Sequence, residues 1–271
     1  MDINYRKYAL FRLNYWTNIN YLSHHDSRYF WSQSNDHRII STLAVNAAFN
    51  QIPLDLAIDK SRRNIINFLT LRRMCRCSDK TMRVIIQDGV DRGEIERIKE
   101  GRETLIKATK LLIDTYRDFE KDWILFYGQD YIKGLSKTNY EKIFNKILLI
   151  RLKFFSDINS ISHSFDLFWN KSVDHRIINL LGVNSFLDQL PIEYSTNLNT
   201  LNKISYESLR RLCRCSDSTI KSIISQGIKN NELEKISEGR RIYIRGTNLL
   251  FDNYKKFEFN WINLIRENVL L

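Results

Sequence analysis

The feature that most constrains this chain is that it repeats itself. Asp36–Ile124 aligns with Asp174–Ile262 at a constant offset of 138 without a gap, and roughly two residues in five are identical. Asp36-His-Arg-Ile-Ile recurs from Asp174, Val45-Asn46 as Val183-Asn184, and Gln51-x-Pro53 as Gln189-x-Pro191. Glu100-Gly-Arg102 returns as Glu238-Gly-Arg240, and Trp123-Ile124 as Trp261-Ile262. Upstream, Arg12-Leu13 aligns with Arg151-Leu152 after a one-residue shift. Solenoid units have periods of roughly 20–50 residues, so this longer period repeats a whole domain. The seam is expected within Gly128–Asn139, which is rich in Gly and small polar residues. Two domains follow, over 1–132 and 133–271.

Only 9 Gly and 2 Pro interrupt 271 residues, which leaves long stretches free to be helical. In the second copy, Tyr140–Ser156 carries apolar residues at helical recurrence. Asp174–Leu190 continues as a helix, with Asp174 as a plausible N-cap and Pro191 as its end. Leu198–Leu201 and Ile204 suggest a short helix or turn. Ser205 can cap a helix carrying Leu209, Leu212 and Cys213. Ser216-Asp-Ser-Thr then caps a second, amphipathic helix with Ile220, Ile223, Ile224 and Ile228 on one face. Leu233–Ile236 and Arg241–Arg245 read as strands around a turn with a basic tip, and a long helix follows Thr247.

Two short helices and a basic hairpin make a winged helix, and here the pattern resembles the MarR family of bacterial transcription regulators. The second copy matches that family's motif at Leu209, Cys213, Cys215, Ser216, Ser218, Thr219, Ile220, Asn231, Leu233 and Arg240. The first copy matches at Leu71, Cys75, Cys77, Ser78, Thr81, Met82, Gly93, Ile95 and Arg102, with Lys80 replacing the small hydroxyl residue. The resemblance covers nearly all of each half, including the long flanking helices that such regulators use to dimerise. It implies a mostly α fold with small β-hairpin wings, and double-stranded DNA as partner. It also leaves room for a small aromatic effector between the halves. Family members are usually single-domain homodimers. This chain carries both copies, so the expectation is two tandem winged-helix domains forming an intrachain pseudo-dimer.

The major groove of B-DNA accepts one α-helix. With the isoleucines inward, Ser218, Lys221, Ser222 and Ser225 face outward, together with Gln226 and Lys229. Their counterparts in the first copy are Lys80, Arg83, Val84 and Gln87, then Asp88 and Asp91. Lys, Arg, Gln and Ser are side chains that reach base edges and phosphates. At the wings, Arg102, Arg240 and Arg241 are candidates for phosphate or minor-groove contact. Copy two carries more charge there, since Arg241 and Arg245 stand opposite Glu103 and Lys107. Arg72, Arg73 and Arg76, with Arg210, Arg211 and Arg214, lie on the preceding helix and turn, which usually cross the DNA backbone.

The formal charge of +11 favours an anionic partner, nucleic acid before an acidic membrane surface. Met1–Arg12 lacks the pattern of a signal peptide, and no apolar run approaches a membrane span. Four cysteines without such a signal fit a reducing cytoplasm. The Cys-Arg-Cys at 75–77 and 213–215 is too short for zinc or dithiol motifs and reads as buried apolar packing around the turn. Asp and His adjacent on a helix do not face each other, so Asp36-His37 and Asp174-His175 suit capping rather than catalysis. No cofactor is implied.

The leading expectation is a cytoplasmic, nucleoid-associated bacterial transcription regulator. Its two recognition helices would read an asymmetric, pseudo-palindromic DNA site, with room for further self-association or a partner in the transcription machinery. The alternatives are an architectural, nucleoid-type protein of low sequence specificity and a winged-helix module for protein interaction.

Overall fold

The computed structural model describes residues 3–131, 140–160, 172–195 and 201–269. Most of the expected seam, 132–139, lies outside them, as does 196–200 in the stretch read as a short helix or turn. In chain order the elements are α1 (Tyr5–Tyr21), α2 (Ser27–Ser32), α3 (Asn35–Ala48), β1 (Ile66–Asn67), α4 (Phe68–Met74), α5 (Asp79–Asp91), β2 (Ile95–Glu100), β3 (Glu103–Ala108) and α6 (Lys110–Tyr131). There follow α7 (Tyr140–Ser160), α8 (Val173–Phe186), a 3₁₀ turn at Ile192–Tyr194, β4 (Ile204–Ser205), α9 (Tyr206–Leu212), α10 (Asp217–Lys229), β5 (Leu233–Glu238), β6 (Arg241–Gly246) and α11 (Asn248–Val269). The described residues are thus mostly helical, with two three-stranded antiparallel sheets ordered β1-β3-β2 and β4-β6-β5.

Compact units do not follow the halves 1–132 and 133–271. One, here the C-unit, comprises residues 1–24 and 162–260; the other, the N-unit, comprises 25–161 and 261–271. Each therefore contains the first helix of the opposite copy. Within the C-unit α1 packs along α8, and within the N-unit α7 packs along α3. The buried side of α1 carries Tyr8, Ala9, Leu13, Trp16 and Ile19, a helical stripe. On α7 the buried set includes Phe144, Ile147, Leu148 and Phe155.

The polar residues that recur in both copies hold these interfaces. Asn184, fully buried, donates to the carbonyls of Leu180 at 2.7 Å and of Ala9 at 3.1 Å. Its own carbonyl accepts from Gln189 at 2.7 Å, and Gln189 also donates to the Arg6 carbonyl at 2.9 Å. In the N-unit Asn46 donates to Thr42 and Leu148 carbonyls at 2.8 and 3.2 Å, and Gln51 reaches Asn46 and the Asn145 carbonyl. A buried amide left unpartnered would cost free energy, so each pair is retained as a unit.

A buried ion pair in each unit joins its exchanged helix to a long helix that follows the hairpin. Arg12 makes a bidentate ion pair with Glu258, its Nη2 at 3.0 Å from Oε2. Arg151 grips Glu120 in the same way, at 2.8 and 2.6 Å. All four side chains are essentially excluded from water. Each guanidinium also faces an aromatic ring, though at non-equivalent positions: that of Arg12 lies 4.6 Å from the Phe257 ring centroid, and that of Arg151 lies 4.0 Å from Trp261.

Three local sequence expectations need correction, the first being that α8 ends at Phe186 rather than running to Leu190. Ser172, rather than Asp174, caps α8, its hydroxyl accepting from the His175 N–H, just as Ser34 caps α3. Ile204 lies in strand β4, because Ile204 and Ser205 pair with Ile244 and Tyr243 of β6. One backbone approach requires glycine: a Cβ on Gly246 would collide with the Gly182 carbonyl, where β6 crosses α8.

Removing one member of a buried ion pair strands the other charge, at a cost of about 3–5 kcal/mol. Glu258→Ala should therefore lower the urea and thermal midpoints substantially, whereas the double variant Arg12→Met/Glu258→Leu should regain most of the loss. A single-variant midpoint equal to wild type would show that the pair does not hold the helix.

Candidate nucleic-acid interface

Each unit builds one compact polar surface from the same local rules. In the N-unit, Asn67 caps α4 by accepting from the Thr70 N–H at 3.0 Å; in the C-unit, Ser205 caps α9 from the Ser208 N–H at 3.0 Å. Both helices stop at the Cys-Arg-Cys turn. Asp36 and Asp174 pin that turn by accepting from the backbone N–H of Arg76 at 2.8 Å and of Arg214 at 2.9 Å. The recurring aspartates therefore serve as turn locks. His37 and His175 place their Nδ1 atoms 2.8 and 2.9 Å from Ser34 and Ser172.

Past the turn, Ser78 and Ser216 cap α5 and α10, accepting from the N–H groups of Thr81 at 3.2 Å and Thr219 at 3.3 Å. Helix α5 buries Met82, Ile85, Ile86 and Gly89; α10 buries Ile220, Ile223, Ile224 and Gly227. The helical period then leaves Lys80, Arg83, Val84 and Gln87 exposed on α5, and Ser218, Lys221, Ser222 and Ser225 exposed on α10. The chain turns out of these helices through left-handed residues, Gly93 at φ 70° and Asn231 at φ 57°. It enters hairpins whose two-residue turns begin at Gly101 and Gly239, both at φ 58°.

Helix and hairpin of each unit border an open cleft. In the N-unit it is lined by Lys80, Arg83, Val84, Gln87, Arg97 and Lys99, among others. In the C-unit it is lined by Tyr206, Arg210, Lys221, Arg240, Arg241 and Tyr243, among others. Arg102, Arg240 and Arg241 are all exposed at the hairpin tips. The arginines of the preceding helices are exposed but engaged. Arg72 pairs with Asp79 and Arg210 with Asp217, the latter at 2.9 Å. Those guanidinium hydrogen bonds hold both carboxyls below the usual range. Arg73 donates to the Asp55 carbonyl and Arg211 to that of Glu193. Exposed ion pairs are worth little, so such side chains can exchange partners for an anion. Arg76 and Arg214 are exposed at the turn itself.

Several contacts had no signal in the sequence. Gln87 accepts from Arg97 of β2 at 2.7 Å and donates to Asp91 at 2.6 Å, so its amide is engaged at both ends. Arg83 stacks its guanidinium 4.5 Å from the Phe68 ring centroid. Neither Phe68 nor Arg97 stood out in one dimension, because both come from elements adjacent to α5 only in the fold.

The cysteines are less uniform than expected. Cys213 is buried, but Cys75, Cys77 and Cys215 are only half-buried. Burial raises the Cys75 thiol well above its ordinary value and, reinforced by Asp36, pushes Cys77 up to about 11. Cys213 is also raised, by its hydrogen bond with Cys215 and by burial. Among the described residues, no group of three or more His, Cys, Asp or Glu is placed to hold a metal ion. No helix among them is long and apolar enough to cross a membrane. Compared with protein-family models and with curated proteins, the sequence matches none.

Two measurements check this geometry. Because the thiolate is the nucleophile, iodoacetamide at pH 8 should label Cys77 and Cys213 in the folded protein far more slowly than in urea. Equal rates would contradict the raised thiols. Ser216→Ala removes the cap of α10 and should cost about 1 kcal/mol, read as a lower denaturation midpoint.

Proposed function

We propose that this chain is a sequence-specific, double-stranded DNA-binding transcription regulator. It would consist of two winged helix–turn–helix domains of MarR-like kind, paired as an intrachain pseudo-dimer. The observation that carries the reading is the arrangement present in both units. A capped helix buries one apolar face, leaves Lys, Arg, Ser or Val side chains exposed on the other, and borders a hairpin with arginine at its tip. Helices of this size enter the major groove, and arginines beside them reach phosphate or the minor groove. The net charge of +11 supplies long-range attraction to a polyanion.

The four exposed positions differ between α5 and α10: Lys80 against Ser218, Arg83 against Lys221, Val84 against Ser222, Gln87 against Ser225. One chain would accordingly bind an asymmetric site with unlike half-sites. On this reading the protein works in the bacterial cytoplasm at the nucleoid. The serine-rich exposed face of α10 also favours a second reading, an architectural DNA-binding protein of low sequence preference. For a small-molecule effector the N-unit offers an open cleft of about 440 Å³, lined by Pro53, Leu56, Leu149, Leu152 and Lys153 among others. Its cavity lined by Trp31, Arg38, Tyr116 and Phe119 measures about 20 Å³, enough for about one water.

Selection from random DNA, followed by sequencing and by the mass of the complex, tests the proposal. The expected result is a non-palindromic consensus bound by one chain. A perfect palindrome bound by two chains, or no enrichment, would overturn it. Affinity for selected and scrambled DNA across salt separates the two readings, because phosphate-only binding is sequence-blind and steeply salt-dependent.

A further inference from the structure

The two polar surfaces share a scaffold but differ in chemistry, most of all at the hairpin tips. In the register of the C-unit hairpin, Glu238 stands opposite Arg241, beside Arg240, and pairs with Lys203. In the N-unit, Glu100 stands opposite Glu103, so two carboxylates flank Arg102 directly across the ladder. Arg62 pairs with Glu100 at 2.5 Å and leaves Glu103 uncompensated by that contact. The helices repeat the contrast: exposed Asp88 and Asp91 on α5 occupy the places of Gln226 and Lys229 on α10. A phosphate approaching the N-unit cleft meets Lys80, Arg83, Arg97 and Lys99, with carboxylates beyond it at the hairpin tip and the helix end; one approaching the C-unit cleft meets Arg210 and Lys221 together with the tip arginines Arg240 and Arg241, beside Glu207.

The N-unit has instead what base reading requires. Arg83 is ordered against the Phe68 ring, which lowers the entropy lost when a guanidinium docks. Beside it Val84 leaves 52% of its surface exposed, an apolar side chain on a face otherwise polar. Gln87 is tied to Arg97 and Asp91 and so fixes the next position along the helix. A fixed arginine pairs bidentately with guanine O6 and N7, and an apolar side chain in the major groove contacts the thymine methyl. At the same places α10 has Lys221 and Ser222, a flexible point charge and a short hydroxyl.

We infer that the two surfaces divide the work: the C-unit grips phosphate with little regard to sequence, and the N-unit reads bases, Arg83 taking a guanine and Val84 an adjacent thymine methyl. This rests on the DNA-binding reading above and assigns each half of it a different role.

The test uses the full-length chain and fluorescence anisotropy on the selected DNA and a scrambled duplex, over a range of salt. All substituted side chains are exposed, and circular dichroism checks that each variant is folded. Lys221→Ala/Arg240→Ala/Arg241→Ala should weaken both duplexes alike and flatten the salt dependence by about one unit of slope for each phosphate no longer neutralised. Arg83→Ala/Val84→Ala should weaken only the selected duplex, by about tenfold or more, with the salt slope nearly unchanged. Replacing single thymines by deoxyuridine removes only the methyl. One position should then lose about fourfold in wild type, and none in Val84→Ala. Equal effects of the two variant sets on both duplexes, or their reversal, would overturn the division of roles while leaving DNA binding intact. A wild-type protein that binds neither duplex would overturn the DNA-binding reading and this inference with it.

Discussion

The buried arginine–glutamate pair is the constraint around which each unit is arranged. Arg12 with Glu258, and Arg151 with Glu120, place two opposite charges where almost no water reaches them. Such a pair is tolerated only when both members are present and both sets of polar atoms are met. In these units the carboxylate takes both arms of its guanidinium, and an aromatic ring covers the cation. The first helix of each copy is thereby fixed to a last long helix, and its apolar stripe is brought against α8 or α3. The Asn–Gln amides then complete the same seam by reading backbone carbonyls of the docked helix. A position that must be charged, buried and matched specifies orientation more narrowly than an apolar stripe does.

From that frame the polar surfaces follow by short steps. With α3 and α8 in place, Asp36 and Asp174 sit at their first turns and can hold the Cys-Arg-Cys backbone. A fixed turn fixes the caps Ser78 and Ser216, and the caps set which face of α5 and α10 is buried. Gly93 and Asn231 then turn the chain into the hairpins without strain that other residues would incur. The cysteines take part as half-buried or buried packing, with the thiols of Cys75, Cys77 and Cys213 raised. Their neighbours face solvent.

Much of this was legible in one dimension because it is local. Serine caps, the 3.6-residue period of the isoleucines and the glycine at each hairpin turn are encoded within a few residues of where they act. What was not legible depends on residues far apart. The sequence order suggests that each half folds on itself, yet the compact units exchange first helices. The physical reason is that a duplicated sequence duplicates its interfaces. Both α1 and α7 carry an apolar stripe at helical spacing, so hydrophobic pattern alone does not choose which copy each docks on. The caps Ser34 and Ser172 escaped for a smaller reason: the aspartate two residues later is as good a capping residue by propensity, and only its tertiary contact with the turn reassigns it. Gln87 looked free because Arg97 and Asp91 reach it only in the fold.

Where the copies agree and where they differ also has a physical basis. Asp36 and Asp174, Asn46 and Asn184, Gln51 and Gln189, Glu120 and Glu258 are identical, and each is hydrogen-bonded to a group that would be stranded by its loss. Changing one member of such a network costs the desolvation of the other, so the set changes together or not at all. Positions 80, 83, 84 and 87 and their counterparts 218, 221, 222 and 225 are exposed on every copy, where substitutions are usually worth under about 0.5 kcal/mol of stability. The fold therefore places little restraint on most of these residues, Arg83 and Gln87 being held by Phe68, Arg97 and Asp91. A scaffold held by buried networks common to both copies, with exposed positions that differ between them, can present two different surface chemistries in one chain without altering how either unit folds.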